Sequence, residues 1–289
     1  MMRRGLVCAV LIAAVAGAVP QASATPAFRM RVFRFVDRTR TIRLPDGKRV
    51  PRVLTTFVRI PTASGRHPLV VFAHGFALTP AIYAHLLDAW ARSGYVVAAP
   101  LFPLERADAP GGPDESDLIN EPHDLSIVID RLLALDAAAH GVLAGTIDRS
   151  RVAVAGHSDG AVAALAAAYD SRFRDRRVRA AIVLSGARLG GMRSFPRRGP
   201  PLLAMQGTAD TINSPAATSA YFSQAPRPKF LVWLLGASHL PPYTSQEPQL
   251  GIVERATTAF LAHYLLGQPL RLFEKAAERP GFTRLVADP

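Results

Sequence analysis

Residues 151–168 read RVAVAGHSDGAVAALAAA, and this stretch decides the fold. It opens with an apolar run typical of a buried strand and closes with a run of small residues, mostly alanine, that favours a helix. Between the two runs, Gly156-His157-Ser158-Asp159-Gly160 matches the pattern G-x-S-x-G. A side chain at either glycine position would collide with neighbouring backbone in a sharp turn. We therefore predict that Ser158 projects from a strand-to-helix turn at the edge of a sheet.

Short apolar runs alternate with helical stretches on both sides of this turn, which predicts an α/β fold: a mostly parallel sheet with helices on both faces. The predicted strands are Leu69 to Ala73, Val96 to Ala99, Val152 to Ala155, Ala180 to Leu184, Pro201 to Met205 and Phe230 to Leu235. The predicted helices are Pro80 to Ser93, Asp124 to Ala139, Ala161 to Tyr169, Ala216 to Ser223 and Ile252 to Leu266. Before them, Met30 to Thr41 and Arg52 to Ile60 flank the turn signal Pro45-Asp46-Gly47 and predict an antiparallel entry to the sheet.

The N-terminus has the three parts of a secretory signal: Arg3 and Arg4, an apolar run over 6–19, and the small residues Ala22-Ser23-Ala24. We expect residues 1–24 to be a signal peptide, so that the mature protein is secreted or retained in the periplasm or cell envelope. A membrane anchor is the alternative, but the apolar run is shorter than the roughly 20 residues a span needs. Residues 25–289 contain no linker or repeat and are expected to form one domain.

The chain carries a formal net charge of +12, so nucleic acid has to be considered as a partner. The densest basic stretch, residues 172–179, is interrupted by Asp175, has Phe173 as its one interleaved aromatic, and lies in no nucleic-acid-binding motif. We interpret it as a solvated surface loop and expect no nucleic-acid partner. The net positive charge could still draw the protein toward anionic surfaces.

A serine hydroxyl is a weak nucleophile at neutral pH, so Ser158 needs a base and the base needs a third group to fix its tautomer. For a G-x-S-x-G serine these partners follow in the order Asp or Glu, then His. Asp210 lies directly after the predicted strand 201–205, and His239 follows the strand 230–235. His263 is the competing histidine downstream, but it lies inside a predicted helix. We predict the triad Ser158, Asp210 and His239.

Ester hydrolysis passes through a tetrahedral oxyanion, which backbone N–H groups stabilise. Asp159, the residue after the nucleophile, is predicted to supply one N–H. Phe76, in the sequence His74-Gly75-Phe76 after a strand, is predicted to supply the other. His74 then has a structural role. We expect no cofactor, and no metal, because the sequence has no H-E-x-x-H pattern and no recognisable histidine cluster.

These stretches resemble the α/β-hydrolase superfamily, and within it bacterial secreted esterases similar to dienelactone hydrolase, chlorophyllase and platelet-activating-factor acetylhydrolase. The similar segments are residues 70–76, 93–100, 156–160 and 206–210, and the likeness extends from about Thr39 to Leu266. It implies a cofactor-independent serine carboxylic-ester hydrolase acting on a small-molecule or lipid-like ester.

Secreted cutinases and polyester hydrolases are also similar, but those proteins typically have an aromatic clamp after the strand that follows the nucleophile, and a C-terminal disulfide. Here that position reads Ser185-Gly186-Ala187, and the one cysteine is Cys8. Acyl transfer, peptide cleavage and a non-catalytic binding role on the same fold remain alternatives.

Two irregular stretches, Pro103 to Pro122 and Gly186 to Pro200, follow predicted strands and are candidate walls of the substrate cleft, with ordinary surface loops as the alternative. Four aromatic residues are candidates to line an apolar acyl site, with core packing as the alternative: Phe76, Tyr83, Phe102 and Phe195.

Overall fold

One nine-stranded sheet runs through residues 27–289, which are the residues that the computed structural model describes. The predicted signal peptide lies outside them. The strands are β1 Phe28–Arg43, β2 Arg49–Pro61, β3 His67–Ala73, β4 Val96–Leu101, β5 Ile147–His157, β6 Val178–Leu184, β7 Leu202–Gly207, β8 Lys229–Leu234 and β9 Thr283–Asp288. Their order is β1-β2-β4-β3-β5-β6-β7-β8-β9.

The middle of the sheet, from β4 to β8, is parallel, whereas β1 with β2, β2 with β4 and β8 with β9 pair antiparallel. The described residues form six α-helices. They are α1 Ala84–Arg92, α2 Glu121–Asp136, α3 Asp159–Tyr169, α4 Pro215–Gln224, α5 Gln249–Leu266 and α6 Leu270–Ala277. The predicted fold class is therefore confirmed, including its antiparallel entry.

Alternate residues of the central strands supply two separate cores, as expected for a sheet buried on both faces. In β3, Leu69 and Val71 pack in the core beneath α2, α3 and α4. Val70 and Phe72, on the opposite face, pack against α1, α5 and α6. Every residue of the strand is buried, which explains why residues 69–73 form a continuous apolar run in the sequence.

Two elements at the C-terminus were not predicted. Helix α6 is short, and β9 is half exposed at the edge of the sheet, so neither has a long apolar pattern. Several predicted boundaries also differ by a few residues; for example, α2 begins at Glu121 rather than Asp124. Pro122 explains the difference, since proline is well suited to the first turn of a helix, where its missing N–H has no intrahelical partner.

A buried arginine ties the start of the sheet to the loop that follows β4. Arg52 of β2 is 1% exposed and donates from Nε to Asp124 of α2 at 2.8 and 2.9 Å. Its Nη1 and Nη2 donate to the two carboxylate oxygens of Asp117, at 2.9 and 2.7 Å. This paired geometry compensates the desolvation of the three charges. The end of the 103–122 stretch is thereby held against the sheet.

Candidate active site

Ser158 lies on a sharp turn between β5 and α3. Its φ is 56° and its ψ is −123°, a backbone conformation that non-glycine residues rarely adopt. The two motif glycines make the turn sterically possible: a Cβ at Gly156 would lie 2.1 Å from the carbonyl oxygen of Gly160, and one at Gly160 would lie 2.2 Å from that of Ala73. The turn predicted from the sequence is the turn observed.

The structure brings the three predicted triad residues together at the carboxyl edge of the sheet. Asp210 follows β7 and His239 follows β8, and the loops touch because Gly207 leaves room for the carbonyl of Ala237. His239 Nε2 lies 2.9 Å from Ser158 Oγ. His239 Nδ1 lies 2.8 Å from Asp210 Oδ2. With Nδ1–H donating to the carboxylate, Nε2 is left free to accept the serine proton.

Asp210 is held in place by further hydrogen bonds. Its Oδ1 accepts from the backbone N–H groups of Ile212 and Asn213 at 2.9 and 3.0 Å, and its Oδ2 also accepts from Gln206 Nε2 at 3.0 Å. Burial alone raises the pKa of this carboxyl, but the hydrogen bond and charge of His239, together with the backbone donors, outweigh it and hold the pKa below its usual value. Asp210 is therefore ionised at neutral pH.

The two predicted oxyanion donors flank Ser158. The N–H groups of Phe76 and Asp159 donate to no acceptor among residues 27–289. A Cβ built on Gly75 would lie 3.0 Å from Ser158 Cβ, so the Phe76 loop passes directly beside the serine. The next residue, Ala77, has φ 53° and donates its N–H to Glu105 O at 2.8 Å, which fixes the loop from its far side.

His74 has no exposed surface and hydrogen-bonds within the oxyanion loop. Its Nδ1–H donates to Gly75 O at 2.9 Å, and its Nε2 accepts from the N–H of Phe102 at 3.1 Å. Burial lowers the pKa of His74 to about 4, so the ring stays neutral and can both donate and accept. The ring thus links the Gly75 backbone to the segment that follows β4.

A second buried histidine was missed from the sequence, although it lies inside the motif. His157 Nε2–H donates to the carbonyl oxygen of His239 at 2.9 Å, and Nδ1 accepts from Tyr83 Oη at 2.8 Å. Tyr83 Oη in turn accepts from the N–H of Gly75 at 3.3 Å. This chain of hydrogen bonds, which we call the Tyr83–His157 relay, joins the loop of the predicted oxyanion donor Phe76 to the backbone of His239. Burial, with a contribution from nearby His239, lowers the pKa of His157 to about 3.

Tyr243 supports the loop that carries Asp210 through Ser185, and this role was also missed from the sequence. Its hydroxyl donates to Met205 O at 3.0 Å and accepts from Ser185 Oγ at 2.9 Å. Ser185, at φ 46°, accepts at its carbonyl from Asn213 Nδ2 at 2.6 Å. No local sequence pattern indicates this contact, because the tyrosine and its partners lie far apart along the chain.

Three carboxyl groups, one of them on the residue after Ser158, receive no hydrogen bond from an N–H group of the described residues. Asp159 Oδ2 is buried and receives no hydrogen bond from the described residues. Burial, followed by the charge of Glu115, raises the pKa of Asp159 to about 6. Glu105 and Glu121 are fully buried, and no N–H of residues 27–289 reaches their carboxyl oxygens. Burial raises the pKa of both, and the two groups face each other, so a hydrogen bond between them requires that one keeps its proton.

Of the four aromatic candidates for an acyl site, only Phe76 is exposed at the site, at 37%. Tyr83 and Phe102 have no exposed surface and pack in the two cores. Phe195 packs edge-on against Tyr169, at the far end of α3 from Ser158. Core packing is thus the observed role of Tyr83 and Phe102. Each ring also packs against a buried histidine of the site.

His263, the competing histidine, lies near the end of α5 and hydrogen-bonds Gln268 O. Residues 27–289 contain no group of three or more acidic, histidine or cysteine side chains arranged to hold a metal ion. Within that range, no helix combines the length and apolarity needed to cross a bilayer.

The mostly parallel mixed sheet, with the serine on its strand-to-helix turn, defines a protein of the α/β-hydrolase class. A family model described as chlorophyllase matches residues 35–218, more than half of the chain. The chain belongs to this family, which indicates an esterase-type function. The matched range includes Phe76, Ser158, Asp159 and Asp210, whereas His239 lies beyond it. A comparison with curated protein sequences gave no match.

Proposed function

We propose that the protein is a serine carboxylic-ester hydrolase that works through an acyl-enzyme intermediate. The observation that carries the proposal is the continuous hydrogen-bonded series Ser158 Oγ, His239 Nε2, His239 Nδ1, Asp210 Oδ2, with distances of 2.9 and 2.8 Å. Membership of an esterase-type family supports the same reaction. The substrate is expected to be a small-molecule or lipid-like ester.

In the first half of the reaction, Ser158 Oγ attacks the ester carbonyl carbon while its proton passes to His239 Nε2. The carbonyl oxygen becomes an oxyanion and accepts hydrogen bonds from the N–H groups of Phe76 and Asp159. These donors are already free and fixed, so little reorganisation is needed as charge develops. When the intermediate collapses, the C–O bond to the alcohol breaks and His239 returns the proton to the leaving oxygen.

In the second half, water takes the place of the alcohol. His239 Nε2 accepts a proton from the water as its oxygen attacks the acyl carbon, and the same two N–H groups hold the second oxyanion. Collapse then breaks the bond to Ser158 Oγ, which regains its proton from His239 and releases the carboxylic acid. Asp210 stays ionised throughout and stabilises the imidazolium that forms in each half.

The same triad would also support other reactions: hydrolysis of a polyester, cutin or lipid, acyl transfer to an alcohol, and peptide cleavage. Each passes through the same acyl-Ser158 and differs in the group that leaves or attacks. A non-catalytic binding role is disfavoured by the geometry, since all three triad side chains are in hydrogen-bonding contact.

The test is hydrolysis of p-nitrophenyl esters of two to sixteen carbons by the purified protein. We expect turnover that begins with a burst of one molecule of p-nitrophenol released per enzyme molecule. In Ser158→Ala we expect kcat to fall on the order of 10⁴-fold or more. Ser219→Ala, on the exposed face of α4, is the matched control and should keep wild-type turnover. Wild-type turnover in Ser158→Ala would refute the proposal.

Export is a separate proposal, resting on the sequence of residues 1–24 alone. N-terminal sequencing of protein recovered from outside the cytoplasm should begin at Thr25. Recovery of the protein with residues 1–24 intact in the cytoplasm would contradict it.

A further inference from the structure

An arginine-rich cavity lies at the end of α3 opposite Ser158. Its volume is about 840 Å³, and it is walled by residues 169–176 on one side and residues 191–196 on the other. Helix α3 runs for 11 residues, which places the cavity about 16 Å along the helix from the nucleophile. A second cavity of about 350 Å³ adjoins it, and both are lined by Arg174 and Arg176.

The charge in the larger cavity is positive and uncompensated. Its one lining carboxylate, Asp170, is already bound by Arg172 through Nε and Nη2, with a shortest distance of 2.6 Å. The guanidinium groups of Arg174, Arg176 and Arg193 form no ion pair and no hydrogen bond with any residue in the described part of the chain. Moreover, residues 176–209 contain seven arginines and no aspartate or glutamate.

The walls of the cavity are fixed by contacts that do not use the free arginines. Arg172 Nη2 donates to Gly190 O at 3.0 Å, and Tyr169 Oη donates to Pro200 O at 2.6 Å. The rings of Tyr169 and Phe195 pack edge-on with centroids 5.3 Å apart. One end of the 190–200 segment is therefore anchored to Tyr169 of α3 and the other to Arg172 just beyond that helix, so the guanidinium groups are presented from a preformed surface rather than a loose loop.

We propose that this cavity, which we call the arginine groove, binds a small polyanion that carries phosphate groups. Guanidinium groups bind phosphate oxygens through paired, charge-assisted hydrogen bonds, and several unpaired ones in a single concavity suit a ligand with several charges. The concave shape favours a discrete ligand that enters the groove over the flat surface of a lipid bilayer. The site is independent of ester hydrolysis at Ser158.

The test is isothermal titration of the full chain with inorganic tripolyphosphate at constant ionic strength. We expect the triple variant Arg174→Gln, Arg176→Gln, Arg193→Gln to raise the Kd at least about tenfold. The matched control is Arg29→Gln, Arg34→Gln, Arg38→Gln on edge strand β1, which removes the same charge about 24 Å away across five strand spacings. The control should keep the wild-type Kd.

Esterase turnover on a neutral p-nitrophenyl ester should be unchanged in both triple variants, which separates the groove from the candidate active site. An equal rise of the Kd in the two variants would overturn the proposal, because binding would then follow total charge. Binding to vesicles rich in phosphatidylglycerol without binding to tripolyphosphate would also overturn it, in favour of a lipid surface. The proposal would likewise be overturned if the wild-type protein did not bind tripolyphosphate.

Discussion

Two buried tyrosines of the same core provide a matched test of the Tyr83–His157 relay. Tyr83→Phe removes a 2.8 Å hydrogen bond to His157 Nδ1 and a 3.3 Å bond from the N–H of Gly75. Both partners are buried, and a buried polar group left unpaired costs about 1–3 kcal/mol. The second bond is long and contributes little, so we expect Tyr83→Phe to lower the free energy of unfolding by about 2 kcal/mol.

Tyr95→Phe makes the same chemical change without that loss. The Tyr95 hydroxyl is buried beneath α1 but has no hydrogen-bond partner in residues 27–289, so deleting it leaves no group unpaired. We expect its free energy of unfolding to equal or exceed that of the wild type. Urea denaturation followed by tryptophan fluorescence gives both values in the same buffer.

The relay also predicts a difference in catalysis. It connects Gly75, next to the proposed oxyanion donor Phe76, to the backbone of the proposed base His239, so its loss should misplace both groups. We expect kcat on p-nitrophenyl butyrate to fall between about tenfold and a hundredfold in Tyr83→Phe and to stay unchanged in Tyr95→Phe. Equal stability loss in the two variants, or wild-type kcat in Tyr83→Phe, would refute the reasoning.

Three further predictions concern carboxyl groups. Asp210→Asn should fold normally and lose on the order of 10⁴-fold in kcat, measured with the same ester, because the amide favours the wrong tautomer of His239. Asp159→Asn should raise kcat by up to about tenfold at pH 8 and change it little at pH 5, where the wild-type carboxyl is protonated; a pH profile of both proteins checks this. In the wild type, folded Glu121 keeps its proton above its unfolded pKa near 4.5, so the free energy of unfolding falls by about 1.4 kcal/mol per pH unit as the pH rises. Glu121→Gln removes this titration and should make the fall in stability with pH less steep. Melting curves from pH 6 to 10 compare the two, and parallel curves would contradict the expectation.

The sheet and the placement of the three predicted triad residues at its edge followed from local patterns in the sequence. Gly156 and Gly160 fix the turn by sterics between near neighbours, and Asp210 and His239 each come directly after an apolar run. Chain order alone therefore located them at one edge of a parallel sheet. Helix boundaries were less accurate, as at Glu121, because a helix N-terminus depends on the few residues that cap it.

The supporting contacts could not be predicted, because they join residues that no local pattern connects. Tyr83 and His157 lie 74 positions apart, and Arg52 lies 72 positions from Asp124. In the sequence, Tyr83 is one aromatic residue of a helical stretch and Arg52 is one of many arginines. Their roles depend on the packing of elements across the sheet, which determines the partner of each buried polar group.

The same packing explains why one histidine of the three around Ser158 is suited to be the base. Burial holds His74 and His157 neutral, with pKa values of about 4 and 3, and each uses both ring nitrogens in hydrogen bonds to the surrounding structure. The ring of His157 lies 4.7 Å from that of His239, so a charged His157 would oppose the imidazolium that the proposed mechanism forms on His239. Because His157 is neutral, the charge on His239 faces the ionised Asp210 without a competing cation beside it. Replacing the neutral ring of His157 with a permanent cation would therefore slow acylation even if the triad distances were kept.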